Sequence, residues 1–170
     1  YEILKWIRSI SGHFAIVIES NELVIAAVDR VCTIPVFVAK CANSILISNH
    51  APLLKKRCYI NDLNLSAGLE ISMSGYTIGS KTLYKDLDRL EGGECVIYSE
   101  GKLHKEYYYT YSPWKTNVRS RYQLKKEFTD VCINSLTDLK NSANGRQIVI
   151  PLSAGNDSRL IASGLKELGV

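Results

Sequence analysis

Gln147-Ile148-Val149-Ile150-Pro151-Leu152-Ser153-Ala154-Gly155-Asn156-Asp157-Ser158-Arg159 is the stretch on which the reading of this chain turns. Residues 147–152 form a short continuous apolar run, the mark of a strand buried on both faces. Ser153-Ala154-Gly155-Asn156 follows as a loop of small residues, and 157–168 carries a helical pattern. Small residues let the backbone come close to a ligand, while the serines and Asp157 offer hydroxyl and carboxylate groups. The free N–H groups and positive dipole end of the helix face this loop, which makes an anion site suited to phosphate or pyrophosphate. Asp157 then serves either as a helix cap or as the ligand of a magnesium ion bridging the phosphates. An ordinary strand-to-helix turn capped by Ser and Asp stays open beside that reading.

Two other motifs fail on the same residues. A Walker A loop needs GxxxxGK[ST], and no Gly-Lys-Ser/Thr occurs in the chain. A nucleophile elbow needs GxSxG with a histidine further on, but Pro151 takes the first glycine's place and no histidine follows His104. Ser153 therefore has no base within these residues to activate it.

Working outward, Ser120 onward predicts a long helix with Leu124, Phe128, Val131, Cys132, Ser135, Leu136 and Leu139 on one face. Asn141 to Gly145 is its stop signal. Helix, strand, small-residue loop and helix together open an α/β domain. The texture changes at Tyr111-Ser112-Pro113, and the boundary is placed near 113 to 118. Before it the chain reads as α+β. Ile3, Leu4, Ile7 and Ile10 recur at helical spacing until Gly12 breaks the pattern. Three hairpins follow: 13–19 with 22–28, 36–39 with 45–48 around Cys41-Ala42-Asn43-Ser44, and 94–98 with 102–109. Residues 51–56 and 63–73 are helix candidates. Three hairpins with few helices predict antiparallel sheet and not a βαβ layout.

Composition narrows the class. The chain has 170 residues, of which 46% are hydrophobic and 22% charged, so it can bury a real core. No apolar run approaches the ~18 residues needed to cross a bilayer. A net charge of +4 with scattered basic residues gives a weak footprint for a nucleic-acid binder. Arg119, Arg121, Lys125 and Lys126, the densest basic stretch, read as a solvated helix face. The five cysteines, at 32, 41, 58, 95 and 132, are odd in number and lack CxxC spacing. They predict buried reduced thiols in a cytoplasmic protein, without disulfide framework or zinc site. The chain starts at Tyr1 and its only methionine is Met73, so it reads as an excerpt of a longer protein.

Ser153-Ala154-Gly155-Asn156-Asp157-Ser158 resembles the SGGxDS pyrophosphate loop of the N-type ATP pyrophosphatases. The loop alone does not choose among asparagine, GMP, NAD or argininosuccinate synthetases; the upstream segments do. Gly12-His13-Phe14-Ala15-Ile16 is similar to the G-x-F-A core strand of the glutamine-dependent asparagine synthetase family. Val28-Asp29-Arg30 through Ile34-Pro35-Val36-Phe37 resembles that family's R-D-x-x-G-x-x-P-L-Y segment. Ile47-Ser48 with Leu53-Leu54 resembles its S-E…A-L turn, and Leu90-Glu91-Gly92-Gly93 its L-x-P-G turn. The chain departs at Ala154 and Cys32, where glycine is common, at Asn49 (glutamate), at Gly92 (proline) and at Arg159 (a small residue). A methyl at Ala154 is strained if the position needs positive φ.

The resemblance implies a glutamine-hydrolysing asparagine synthetase-like amidotransferase. Its fold is an α+β N-terminal-nucleophile-type sandwich of antiparallel sheets over 1–112, partial here, and the start of an α/β ATP-pyrophosphatase domain over 118–170. In such proteins ammonia from glutamine reaches a carboxylate, usually aspartate, that ATP has adenylated. The resemblance implies that Leu152 touches ATP, that Ser153, Gly155 and Ser158 bind its phosphates, and that Asp157 holds Mg²⁺. It places the nucleophilic cysteine upstream, so no catalytic residue is assigned here and the piece alone is expected to be inactive. ATP, glutamine and aspartate are the expected small-molecule partners, with no nucleic acid and no membrane, and a homodimer is compatible. A relative acting on another carboxylate (β-lactam-forming or glycan-modifying) and a non-catalytic scaffold are the alternatives.

Overall fold

The structure is a computed structural model that describes residues 2–42, 44–114 and 118–170. Asn43, in the turn expected after Cys41, and 115–117, within the expected boundary, lie outside the described residues. The chain divides into two compact units, Tyr1–Ser112 and Pro113–Val170. It is mixed α+β, and its sheets are antiparallel.

In the N-terminal unit the order is α1 (Glu2–Ser9), β1 (Ala15–Glu19), β2 (Leu23–Val28), β3 (Phe37–Cys41), β4 (Ser44–Ser48), α2 (Ala51–Arg57), α3 (Leu65–Ser74), β5 (Leu87–Arg89), β6 (Glu94–Ser99) and β7 (Lys102–Tyr107). One sheet has the order β1-β2-β6-β7 and the other β4-β3-β5. Strand periodicity explains how they stack, because alternate residues point to opposite faces. Ile25 and Ala27 of β2 and Cys95 and Ile97 of β6 share one face of the first sheet, packed with Leu4 and Ile7 of α1. Ala26, Val28 and Val96 share the other face, packed with Val36, Val38 and Leu90. On the far side of the second sheet, Ala39 and Leu87 pack with Leu54 of α2 and with Ile60. The unit is thus layered helix, sheet, sheet, helix. Leu23–Val28 of β2 and residues 95–98 of β6 read as continuous apolar runs because both faces of these inner strands are covered.

Local signals set the helix ends. Asn64 caps α3 by accepting from the Ala67 N–H at 3.2 Å, and Gly75, at φ +83°, closes it in the left-handed conformation. His50 caps α2 through its ring nitrogen Nδ1, which accepts from the Leu53 N–H at 3.2 Å.

The C-terminal unit holds α4 (Arg121–Ala143) and α5 (Asn156–Glu167). A capping box starts α4: Ser120 Oγ accepts from the Gln123 N–H, and Gln123 Oε1 accepts from the Ser120 N–H. Of the apolar face expected on α4, only Leu136 is buried, whereas Leu124, Phe128 and Val131 are exposed. Leu136 lies so close to Gly164 of α5 that a Cβ there would strike its methyl group.

The structure corrects two expectations. Residues 147–152 form no strand: none of the described residues pairs with them, and Val149 and Leu152 are 80% and 68% exposed. An apolar run supplies β-propensity, but a strand also needs a partner's ladder of hydrogen bonds. The cysteines are also not all reduced, because Cys41 and Cys58 form a disulfide, with their Cα atoms 5.1 Å apart. The hairpin return through β3 and β4 and the course of α2 bring them together, which their separation of 17 residues does not show. Cys32, Cys95 and Cys132 are free. Among the described residues no helix is long and apolar enough to cross a membrane.

Candidate functional site

Residues 153–159 make a loop that runs straight into α5. Gly155 is the N-cap of that helix, and as a glycine it has no side chain to accept from the first-turn N–H groups. The backbone N–H groups of Asn156, Asp157 and Ser158, in the first turn, have no intrahelical partner. The loop is folded around two hydroxyls. Ser153 Oγ and Ser158 Oγ lie 3.1 Å apart. Ser158 Oγ accepts from the Ser153 N–H at 3.1 Å, and Ser153 Oγ accepts from the Gly155 N–H at 3.1 Å. Five residues of separation are thereby closed into a compact turn, with both serine oxygens beside the helix N-terminus.

Ala154 is not in the left-handed region, and Gly155 has φ −69°. The methyl of Ala154 therefore brings no backbone strain to the loop. A Cβ at Gly155 would meet Ser153 Oγ at 3.2 Å, so the glycine serves the serine contact and not an unusual φ. Arg159 turns back and donates from its guanidinium to the Ala154 carbonyl. That contact places its positive charge at the loop.

The structure brings Ser153, Gly155, Asp157 and Ser158 together in this turn, and Leu152 adjoins it with its side chain exposed. The loop lies open, with only Ser158 half-buried. Exposed N–H donors, two hydroxyls and one guanidinium are the chemistry of an anion site. Among the described residues no group of three or more His, Cys, Asp or Glu side chains could hold a metal ion, so Asp157 offers a single carboxylate. That fits a cation which a phosphate ligand would also coordinate, since Mg²⁺ is commonly held by one or two carboxylates together with substrate phosphates.

A second constellation, in the N-terminal unit, is built around Asp29, which is 2% exposed. Its carboxylate accepts from the N–H groups of Phe14, Val31 and Thr33 at 3.2, 3.0 and 3.1 Å, and from the Thr33 hydroxyl. Burial pushes the Asp29 carboxyl up, but the Thr33 hydroxyl and the three N–H groups outweigh it and hold the pKa below the usual carboxylate value. Three segments noted in the sequence meet here. The Asp29 N–H donates to the Phe14 carbonyl at 3.0 Å, and the Gly93 N–H donates to the Asp29 carbonyl at 2.9 Å. Next to it Cys32 takes φ +53°, and its thiol lies 3.4 Å from the Leu90 carbonyl. Every oxygen of Asp29 is occupied, so it organises backbone and is not free to move a proton.

Glu94 is, among the described residues, the other buried carboxyl, also 2% exposed, and it accepts from the Glu91 N–H at 2.7 Å. Burial pushes its pKa up, against the opposing pull of the Glu91 N–H and of Lys105. An acid with a raised folded pKa contributes stability that is complete below the unfolded value of ~4.3 and is lost as pH rises through the folded value. The urea midpoint of the wild-type protein is therefore expected to fall, relative to Glu94→Gln, as pH rises above ~4.3. A difference between the two proteins that stays constant with pH would contradict this.

The sequence places Asp29 within a recognisable segment but does not show that Asp29 and Glu94 are buried. The signal available was Asp29 followed by Thr33, a short-range acceptor and donor at turn spacing. No protein-family model and no curated protein matches the chain.

Proposed function

We propose that the chain is part of a glutamine-dependent amidotransferase of the asparagine synthetase type, with its phosphate-binding turn at 153–158. The observation that carries this reading is the turn itself: Ser153 and Ser158 hydroxyls 3.1 Å apart beside the uncapped N-terminus of α5, with Asp157 in the first helical turn. In this reading Ser153, Gly155 and Ser158 bind the phosphates of ATP, Asp157 holds Mg²⁺, and Leu152 lies along the nucleotide. ATP, when bound, supplies an activated carboxylate by placing AMP on it as a leaving group. The chain's own part is to hold and orient: N–H groups and hydroxyls fixed before the ligand arrives need little reorganisation as charge develops on departing pyrophosphate.

The N-terminal unit supports the same reading. Its layered order of helix, sheet, sheet and helix suits an N-terminal-nucleophile-type sandwich. Three of the segments that resemble the asparagine synthetase family converge on Asp29 and are not scattered over the unit. Glutamine as ammonia source, aspartate as acceptor and a cytoplasmic setting belong to this proposal. A non-catalytic scaffold is favoured by one observation, that the loop hydroxyls already accept from the loop's own N–H groups.

An ATP titration with and without Mg²⁺ separates the two. The proposal expects Mg²⁺-dependent binding, weakened in Asp157→Ala by at least the roughly 10-fold that losing even a supporting partner costs a metal site. Absence of binding, or equal binding with and without Mg²⁺, would contradict it.

A further inference from the structure

The Cys41–Cys58 bond has no part in the proposed chemistry, yet it sits at a mechanically sensitive place. Cys41 is the last residue of β3, and Cys58 is the C-cap of α2, so the bond ties the end of a seven-residue helix to the middle strand of the second sheet. A helix this short has little stability of its own and depends on what anchors it. Its other anchor is Leu54, buried with Ala39, Ile60 and Leu87. α2 also forms one wall of an apolar groove of about 420 Å³, where Ala51, Pro52 and Lys55 face Phe37, Tyr84 and Leu87. Lys55 Nζ lies 3.0 Å from the Tyr84 hydroxyl and 4.2 Å from the centre of its ring, bridging the groove.

Both cysteines are partly exposed, so a small thiol can reach the bond. Lys40 precedes Cys41, and Lys55, Lys56 and Arg57 form the last turn before Cys58. Positive charge favours the thiolate that must leave when a disulfide is opened. The other cysteine of this unit with a sheet position, Cys95, is wholly buried, and burial pushes its thiol up to about 11, so it does not compete in exchange.

We propose that Cys41–Cys58 is a reversible thiol–disulfide latch that holds α2 against β3 and so fixes the groove beside it. The co-reactant is a small dithiol. Its thiolate attacks one sulfur of the pair, the other cysteine leaves as a thiolate and takes a proton, and a mixed disulfide forms. The second thiol of the dithiol then displaces the remaining cysteine. Two electrons and two protons have passed to the protein, and the dithiol has become its cyclic disulfide. The reduced helix keeps Leu54 in the core but loses its C-terminal tie. The proposal stands on the N-terminal unit alone and is independent of the amidotransferase reading.

The test uses dithiothreitol, a thiol-counting reagent and trypsin, which cuts after Lys55, Lys56 and Arg57. Denatured but unreduced protein is expected to titrate three thiols, and five after dithiothreitol. In the native protein, reduction is expected to speed cleavage at the end of α2 about tenfold, the change given by ~1.4 kcal/mol in the local opening equilibrium. Cleavage after Lys102 and Lys105 in β7 is expected to stay unchanged, and oxidised glutathione to restore the slow rate. Cys41→Ser/Cys58→Ser is expected to cleave at the reduced rate with or without dithiothreitol. If that variant fails to fold, reduced wild-type protein carries the comparison. Five thiols before reduction, equal rates at α2 in both redox states, or an equal acceleration at β7 would each overturn the proposal.

Discussion

Asp29→Ala is expected to lower the unfolding free energy by roughly 3–5 kcal/mol, because several buried donors lose their acceptor together. The substitution removes the acceptor for three backbone N–H groups and the Thr33 hydroxyl in one step. Each buried donor left without a partner costs about 1–3 kcal/mol, although water entering the site offsets part of the sum. A loss of this size is a large share of the ~5–15 kcal/mol that holds a typical domain together. Asp29→Asn keeps one acceptor oxygen and is expected to lose less. The pH dependence has a definite sign. Because hydrogen bonds hold the folded pKa of Asp29 down, its contribution is present above the unfolded value of ~3.9 and is lost as pH falls through the folded value. Urea melts of wild type and Asp29→Ala should therefore differ most above pH ~4 and converge in acid. Equal midpoints at neutral pH would remove Asp29 from the centre of this unit.

Gly93→Ala is expected to cost about 3 kcal/mol or more, from two independent sources. Gly93 has φ +75°, where an L side chain costs roughly 1–2 kcal/mol. Its Cβ would also land on the Tyr109 carbonyl oxygen, which is backbone and cannot rotate away. Overpacking of that kind costs typically ~1–3 kcal/mol. The surroundings cannot relax easily, because the Gly93 carbonyl accepts from Tyr108 and Tyr109 at 3.0 and 3.3 Å while its N–H is bound to Asp29. Gly92, its neighbour, has ordinary φ, yet a Cβ there would meet the Arg30 carbonyl oxygen at 2.7 Å. That contact is a physical reason for glycine where the family resemblance leads one to expect proline. Thermal melts check the prediction, and a Tm shift of only a degree or two for Gly93→Ala would contradict it.

Much of the fold was legible because its signals are local. The helix expected from Ser120 onward starts where the structure has the Ser120–Gln123 capping box. The three hairpins lie where the sequence places them, the first two between apolar, β-branched runs and the third around Glu100-Gly101. What could not be read depends on partners distant in sequence. β5 is only three residues long and exists through its pairing with β3, in which Phe37 faces Arg89 across some fifty residues of chain. The Cys41–Cys58 bond has the same origin. Residues 147–152 show the converse, since their composition favours a strand and no partner among the described residues completes it.

The candidate site divides in the same way. The 153–158 turn was readable from small residues preceding a helix. Backbone conformation was not: the left-handed residue among the positions where glycine is common is Cys32, at φ +53°, and not Ala154. Asp29 was visible as an acid beside a turn, but its four donors come from three positions on two separate segments, which only the folded chain brings together.

Aspartate-dependent ATP–pyrophosphate exchange by the complete polypeptide carrying these residues tests the proposed function most directly. Exchange is expected in the wild-type protein, with a loss of roughly 10²-fold in Asp157→Ala, the scale reached when a group stabilising transition-state charge is removed. Equal exchange in the two proteins would contradict the role given to Asp157, and no exchange with any carboxylate would contradict the amidotransferase reading as a whole.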